Sequence, residues 1–138
     1  MRLSIITTWA KRIGRWAYFS ELKKSKLVVS PFGYGEINYR DFEAMLCGAA
    51  LLKPDMSHME TWPDLFQAGQ TLYVHAWDFS DLDAVIGRAL ADDRRRRDIA
   101  REAQRRYIAS LAPASGGRDF ALRFDRLIQH LDDGLAPA

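Results

Sequence analysis

The sequence predicts an α/β fold: a partial Rossmann-like domain in three layers, with a short parallel sheet and helices at its C-terminal end. Short apolar runs alternate with stretches of helical character through the first part of the chain, the pattern of parallel strands joined by crossover helices. Three or four such runs occur, fewer than a complete doubly wound sheet contains. We therefore expect a sheet of three or four strands that forms part of such a domain.

Length and composition indicate one globular domain. The chain has 138 residues, of which 48% are hydrophobic and 28% charged, proportions typical of a folded protein. The net charge of +2 is too small for a dedicated nucleic-acid-binding protein, so no nucleic-acid partner is expected. The single cysteine, Cys47, excludes an intrachain disulfide and a cysteine-built metal site. Because Cys47 falls among apolar residues, we expect a buried small side chain, with a reactive thiol as the alternative.

The N-terminal segment, residues 1–17, admits two structures. β-branched residues dominate residues 3–8 and favour a strand. Alternatively, apolar residues at spacings of three and four form one stripe of an amphipathic helix, namely Ile6, Trp9, Ile13 and Trp16. Such a stripe packs against the protein's own core or a neighbouring chain, or it lies on a membrane surface. Because no cleavage site and no apolar run of membrane-spanning length occur, we expect a cytoplasmic protein, with peripheral contact at the inner membrane as the alternative.

Strands and helices then alternate along the chain. The predicted elements are a helix at 18–25, a strand at 26–30, a helix at 39–47, a strand at 51–53 and a strand at 71–75. Lysines in the last turn of the first helix suit the helix dipole. Pro31 and Gly33 end the first strand, Gly48 is placed to cap the second helix, and Pro54 ends the second strand.

Helical patterns fill the remainder of the chain. The predicted helices run from Ser80 as N-cap to about Ala91, from Asp92 to about Leu111, and from the end of a Pro-Ala-Ser-Gly-Gly linker at Arg118 through Leu131. The four arginines at residues 94–97 indicate a solvent-exposed face, with nucleic-acid contact as the alternative. We place the main domain at residues 18–132 and a flexible tail at residues 133–138.

The densest group of candidate site residues lies between the first two strands. A glycine loop precedes the helix at 39–47, so backbone N–H groups and the positive end of that helix can meet an anion. The charges in and after this loop, carried by Glu36, Arg40, Asp41 and Glu43, are too many for a purely structural turn. We interpret the stretch as a phosphate- and sugar-recognising corner. It is expected at the carboxyl edge of the sheet, beside a polar loop at residues 55–64.

The sequence from about Tyr18 to Tyr107 resembles the C-terminal, donor-binding half of bacterial GT-B glycosyltransferases. The core of the resemblance is Ser-Pro-Phe-Gly-x-Gly-Glu-x-x-x-Arg-Asp-x-Glu-Ala, which begins at Ser30. Three more segments match in the same order: Lys53-Pro-Asp-Met-Ser-His-Met-Glu-Thr, Trp77-Asp-Phe-Ser-Asp-Leu, and a helix that begins near Arg97-Asp-Ile-Ala. Because the segments keep their order over about two thirds of the chain, the match is specific.

The resemblance implies a nucleotide-sugar site. It places the ribose hydroxyls on Glu43, since a carboxylate can accept two charge-assisted hydrogen bonds from a cis-diol. The loop of Gly33, Tyr34 and Gly35 is implied to approach the diphosphate or the sugar. Arg40 is the candidate catalytic residue that neutralises phosphate charge and stabilises the departing diphosphate. In the alternative, Arg40 pairs with Asp41 or Glu43 and only fixes the loop.

Three further candidates have less defined roles. Many retaining members carry two glutamates with seven residues between them, whereas Glu36 and Glu43 enclose six. Glu36 is therefore a candidate catalytic residue whose function the resemblance leaves open. His58 and Glu60, in the polar loop, are candidate donor-binding residues, with a structural or solvated role as the alternative.

The predicted function is the donor-binding part of a glycosyltransferase that moves a sugar from a nucleotide diphosphate to a glycan or other acceptor, as in surface-polysaccharide synthesis. GT-B enzymes generally need no bound metal, so the resemblance implies a nucleotide-sugar substrate, no metal and no separate cofactor. They also have a second Rossmann-like half, so we expect an N-terminal half or a partner chain. The alternatives are a non-catalytic nucleotide-binding or protein-interaction module, and binding to a membrane surface or nucleic acid through the arginines and the stripe of Trp9 and Trp16.

Overall fold

In a computed structural model, which describes residues 13–135 and the side chains of residues 13–130, five helices combine with a three-stranded parallel sheet. The predicted α/β fold class is therefore confirmed. The elements in chain order are α1 (Arg15–Lys24), β1 (Leu27–Val29), α2 (Tyr39–Leu46), β2 (Ala50–Pro54), β3 (Leu72–His75), α3 (Leu82–Ala91), α4 (Asp93–Ser110) and α5 (Gly116–Leu135).

The strands lie in the order β1–β2–β3, with β2 in the centre. Val29 pairs with Leu52, and Lys53 pairs with Val74. All five residues of β2 are buried, so both faces of the sheet are covered, as is usual for parallel sheets. This burial explains why the chain uses a continuous apolar run at β2 and no alternating pattern.

The ends of α2 agree with the prediction to within one residue. At its start, the carboxylate of Asp41 accepts a hydrogen bond from the backbone N–H of Asn38, the N-cap residue, at 3.0 Å. At its end, Gly48 has φ +75°, and its N–H donates to the carbonyl of Met45 at 3.0 Å. Glycine adopts this left-handed conformation at little cost, so Gly48 terminates the helix.

The start of α3 differs from the prediction. Asp81, not Ser80, occupies the N-cap position. Its carboxylate turns back and accepts a hydrogen bond from the N–H of Ala76 at 2.7 Å. Phe79 has φ 62°, a left-handed conformation that is rare for an aromatic residue, and it turns the chain just before the helix. The N-cap prediction was therefore wrong because the turn after β3 extends one residue further.

The last helix is longer than predicted at both ends. α5 begins at Gly116, within the predicted linker, and Asp119 in its first turn suits the positive end of the helix dipole. It continues to Leu135, which is three residues into the predicted tail. Residues 136–138 lie outside the described part of the chain.

Most of the N-terminal segment, residues 1–12, also lies outside the described residues, so its strand and helix alternatives stay predictions. α1 begins at Arg15, three residues earlier than expected, and places Leu22 in the core. Trp16, in the described part of the apolar stripe, is 90% exposed. Among the described helices, none is long and apolar enough to cross a membrane.

The arginine run at residues 94–97 opens α4, but it is not solvent-exposed throughout. Arg96 is buried; its guanidinium donates to the carbonyl of Ala89 at 3.3 Å and also bonds to Asp93. The other three arginines are exposed, as predicted. Arg96 thus joins the end of α3 to the start of α4.

Cys47 is partly buried against the core, at the C-terminal end of α2. Burial raises the pKa of its thiol, with the carboxylate of Glu43 adding to the shift and Lys23 opposing it. A raised pKa keeps the sulfur protonated and unreactive near neutral pH. The expectation of a buried side chain is therefore met in part, because Cys47 packs against the core but keeps some exposed surface.

Arg106, held by Glu102, joins α4 to the connection between β2 and β3. Its carboxylate accepts hydrogen bonds from Arg105 at 2.7 and 2.8 Å and from Arg106 at 2.6 Å. Arg106 also donates to the side chains of Gln67 and Gln70, each at 2.8 Å. The hydrogen bonds from Arg105 and Arg106 lower the pKa of Glu102 to about 2.

We predict that Glu102→Gln removes part of the acid sensitivity of the fold. A carboxyl group with a lowered folded-state pKa stabilises the fold above its unfolded pKa, and this contribution disappears as the pH falls through the folded value. Between about pH 4.5 and 2, the native chain should lose more stability than the variant. At pH 7 the difference should be about 0.5–1 kcal/mol, because the pair is partly exposed and screened.

Urea unfolding of both chains at several pH values across this window measures the effect. Asp98→Asn on the same helix is the control, because the contact of Asp98 with Arg101 is long, at 3.8 Å, and exposed. Parallel pH dependence of the native chain and Glu102→Gln would contradict the prediction.

Candidate functional site

Three loops leave the sheet at one edge because all its strands are parallel. We call this the carboxyl edge; it comprises residues 30–38 after β1, residues 55–64 after β2 and residues 76–81 after β3. α2 begins at the same edge because it directly follows the first loop. The glycine loop and the polar loop therefore lie at one edge, as expected from the sequence.

A buried ion pair between β2 and α2 supports the carboxyl edge. Nζ of Lys53 lies 3.0 Å from Oδ2 of Asp41, and both side chains have no exposed surface. Asp41 also accepts hydrogen bonds from the hydroxyl of Ser30 at 2.6 Å and from the N–H of Asn38 at 3.0 Å. Since a charge removed from water is costly unless it is paired, these contacts hold β2, α2 and both ends of the first loop in one arrangement.

The Lys53 ammonium lies beneath an aromatic ring. Its Nζ is 5.0 Å from the ring centroid of Phe32 and 5.9 Å from that of Phe66. Apart from Asp41, it has no acceptor among the described residues. Attraction between the cation and the ring faces partly replaces the lost hydration and fixes Phe32 in place.

Sequence reasoning missed the role of Lys53 and misjudged that of Asp41. Asp41 is not available to a ligand, contrary to the sequence interpretation, because it is buried and serves the fold. The suggested ion pair between Arg40 and Asp41 is also wrong, because Lys53 takes that position and Arg40 is exposed. A lysine at the end of an apolar strand covered on both faces was the available signal, since it requires a buried counter-ion.

Glu43 and Arg40 lie on the outward side of α2, next to Tyr18 of α1. The hydroxyl of Tyr18, on α1, donates to Oε2 of Glu43 at 2.6 Å. Burial raises the pKa of the Tyr18 hydroxyl, the Glu43 carboxylate adds to this, and the Arg40 guanidinium acts in the opposite direction. Glu43 is partly buried and Arg40 is exposed. The fold thus brings these two predicted site residues together beside Tyr18, a partner that the sequence did not reveal.

The glycine loop is open to solvent. The N–H of Gly33 donates to the carbonyl of Gly35 at 3.1 Å, and Tyr34 between them is fully exposed. A Cβ atom at either glycine would meet nothing within 4 Å, and neither residue has a left-handed backbone. Neither packing nor conformation within the described chain therefore requires glycine here. Glu36, which follows, is partly buried.

The two candidates in the polar loop are in different surroundings. The ring of His58 lies 5.6 Å from that of Trp77, in the loop after β3. Glu60 is almost fully exposed and leans toward α5, where its carboxylate is 3.9 Å from Arg123. The structure thus places His58 among the loops of the carboxyl edge and directs Glu60 away from them.

Comparison with known proteins identifies one family. A family model described as glycosyl transferase-like matches residues 6–115. The matched range includes the whole sheet and all three loops of the carboxyl edge. No curated protein and no solved structure matches the chain.

We predict that Lys53→Met destabilises the fold strongly, by about 3–5 kcal/mol, because it leaves a buried carboxylate without its counter-ion. Adding Asp41→Asn removes that charge and keeps an oxygen that can accept from Ser30. The double variant should therefore recover at least about 1 kcal/mol relative to the single variant.

Urea unfolding at pH 7 measures both effects. Lys24→Met is the control: its 3.7 Å contact with Glu21 is exposed, so its removal should change stability by less than about 0.5 kcal/mol. A double variant no more stable than Lys53→Met would show that the buried charge is not the dominant cost.

Proposed function

The chain belongs to the glycosyl transferase-like family, and on that premise we propose that it is the donor-binding part of a GT-B glycosyltransferase. The complete enzyme moves a sugar from a nucleotide diphosphate to a glycan or other acceptor. The observation that carries this proposal is the open glycine loop that leads into the N-terminus of α2 at the carboxyl edge. Ligands of parallel α/β proteins bind at this edge.

The diphosphate occupies the glycine loop in this proposal. Because a Cβ at Gly33 or Gly35 would meet no protein atom within 4 Å, the space beside the backbone is free for phosphate oxygens. The partial positive charge at the start of α2 attracts the anion. Arg40, in the first turn and exposed, adds a full positive charge and can make a bidentate contact. Lys53 is also cationic, but its ammonium is buried and paired with Asp41.

Glu43 binds the ribose hydroxyls. Tyr18 occupies one lone pair of Oε2, which leaves Oε1 and the second lone pair of Oε2 to accept from a cis-diol. The short contact with Tyr18 also fixes the rotamer of the carboxylate before the ligand arrives. Pre-organisation of this kind lowers the entropic cost of binding.

The chemical contribution of these residues is stabilisation of the leaving group. When the bond between the sugar carbon and the diphosphate oxygen breaks, negative charge accumulates on the diphosphate. In this proposal the Arg40 guanidinium and the N–H groups of Tyr34 and Gly35 stabilise that charge, because the Gly33 N–H already donates to the carbonyl of Gly35. Glu36 directly follows the glycine loop in the sequence. We propose no specific step for this carboxylate.

A second candidate is a non-catalytic module that docks to a partner. The observation that favours it is the apolar surface of α5, where four large hydrophobic side chains at helical spacing are exposed: Phe120, Phe124, Leu127 and Ile128. Surfaces of this kind mark interaction sites. A folded chain that binds no nucleotide would favour this candidate over the donor-binding one.

We predict that one member of a panel of UDP-, GDP-, ADP- and CMP-linked sugars binds the chain, and that Glu43→Gln weakens this binding at least about tenfold. The substitution keeps the shape of the side chain but removes the charge that strengthens hydrogen bonds to the diol. Calorimetric titration measures the affinities. The control is Glu21→Gln on α1, whose exposed contact is with Lys24; unchanged affinity in Glu43→Gln would remove the proposed role of Glu43.

We predict further that Gly33→Ala and Gly35→Ala weaken binding of the nucleoside diphosphate without destabilising the fold. A methyl group has space in the free protein, so stability should stay the same or rise by up to about 1 kcal/mol. In the complex the same methyl group would meet the phosphates.

Thermal unfolding and titration together separate the two effects. Gly87→Ala, within α3 and equally open, is the matched control and should raise stability by about 1 kcal/mol while leaving the affinity unchanged. Unchanged affinity in both loop variants would exclude this loop as the phosphate site.

A further inference from the structure

Aromatic side chains from all three loops converge at the carboxyl edge. Phe32 follows β1, His58 follows β2 and Trp77 follows β3. The rings of Phe32 and Trp77 meet edge to face with centroids 4.7 Å apart, and His58 lies 5.6 Å from Trp77 on a tilt of 57°. Trp77 still exposes 58% of its surface. Two neighbours therefore hold a large aromatic ring in place, yet much of it remains open to a ligand.

Hydrogen bonds on both sides of Trp77 order the loop after β3. The carboxylate of Asp81 fixes the N–H of Ala76, and the carboxylate of Asp78 accepts from the N–H of Ser80 at 3.0 Å. Between them Phe79 takes its left-handed backbone and stacks on buried His75, with centroids 4.9 Å apart. A strained backbone at a non-glycine residue is maintained only where the surroundings enforce it, and such residues cluster at binding sites.

Two carboxylates lie in the loops that carry Trp77 and His58, and carboxylates suit hydroxyls better than phosphates. Asp78 adjoins it in the chain, and Asp55 lies in the same loop as His58. Hydrogen bonds from Ser57 to Asp55 and from Ser80 to Asp78 lower the pKa of both carboxyls, so both are ionised at neutral pH. Carboxylates accept hydrogen bonds from neutral hydroxyl groups and repel phosphate anions.

We propose that Trp77, supported by Phe32 and His58, is a stacking platform for a sugar ring. The C–H face of a pyranose lies on the electron-rich face of the indole, and its hydroxyls donate to Asp55 and Asp78. Phe32 directly precedes Gly33, so the platform adjoins the proposed diphosphate loop. The ring belongs either to the donor's sugar, which rests on the proposed function, or to the acceptor glycan, which does not require nucleotide binding.

Indole N–H signals of the ¹⁵N-labelled chain test the platform directly. The chain has four tryptophans, and the signal lost in Trp77→Phe identifies Trp77. Three kinds of probe are titrated: nucleoside diphosphates, the corresponding nucleotide sugars, and a panel of methyl hexosides and oligosaccharides. We expect the Trp77 signal to shift with a nucleotide sugar if the ring is the donor's, or with a saccharide alone if it is the acceptor's, and not with the nucleoside diphosphate.

Affinities of the variants provide the second measurement. Trp77→Ala should weaken binding of the sugar-bearing probe roughly 3- to 10-fold and leave the nucleoside diphosphate within about twofold, while Trp77→Phe should fall between. Trp16→Ala, at an exposed tryptophan of α1, should change neither affinity. Thermal unfolding of each variant confirms that the fold is intact.

The outcomes separate this proposal from the proposed function. Equal weakening of nucleoside diphosphate and nucleotide sugar by Trp77→Ala would identify a nucleobase platform and overturn the sugar assignment. A Trp77 signal that no sugar-bearing probe shifts would also overturn it, even if nucleotides bind through Glu43. If a saccharide shifts Trp77 while no nucleotide binds, the platform stands as an acceptor site and the donor-binding function fails.

Discussion

The buried ion pair between Lys53 and Asp41 is the constraint on which the carboxyl edge depends. Neither charge can return to water without opening the sheet, so the carboxylate has to stay where β2 places the ammonium. Ser30 and Asn38, the two ends of the first loop, both bond to Asp41. They also lie within hydrogen-bonding distance of each other. The loop is therefore closed at its base, and its middle can remain open without losing its position. A loop with fixed ends and an exposed backbone is the arrangement that anion recognition needs.

The periodicity of α2 separates structural charges from available ones. Arg40 and Glu43 are three residues apart and so share one face of the helix, whereas Asp41 points toward the sheet with Ala44 and Met45. The buried face anchors the helix to the sheet, and the side chains that can meet a ligand lie away from that face. The buried face of α2 thus fixes the ends of the glycine loop. The proposed contacts to ribose and phosphate lie on its more exposed face. Tyr18 extends this outward face to α1 through its contact with Glu43.

Much of the fold was readable from the sequence because local signals and burial agree. The apolar runs at β1 and β2 and the glycine after α2 determine their elements through side-chain burial and backbone conformation alone. The features that were missed arise from specific side-chain contacts that composition and periodicity do not mark. The carboxylate of Asp81, the N-cap residue of α3, accepts from the N–H of Ala76 and not from the helix, and Phe79, with its left-handed backbone, stacks against His75. Of the candidate site, the position of the glycine loop at the carboxyl edge followed from the alternation of strands and helices. The convergence of Phe32, His58 and Trp77 did not, because three separate loops supply these rings.

Phe32 connects the interior of the carboxyl edge to its surface. One side of its ring faces the Lys53 ammonium, and its edge contact reaches Trp77 in the loop after β3. The charge pair therefore fixes the first loop through Asp41 and, through Phe32, the aromatic ring against which Trp77 rests. The two surfaces that we assign to phosphate and to sugar share this one buried support. A rigid support matters because the distance between a diphosphate and its attached sugar is set by covalent bonds, so contacts to both groups require a fixed spacing between the loops.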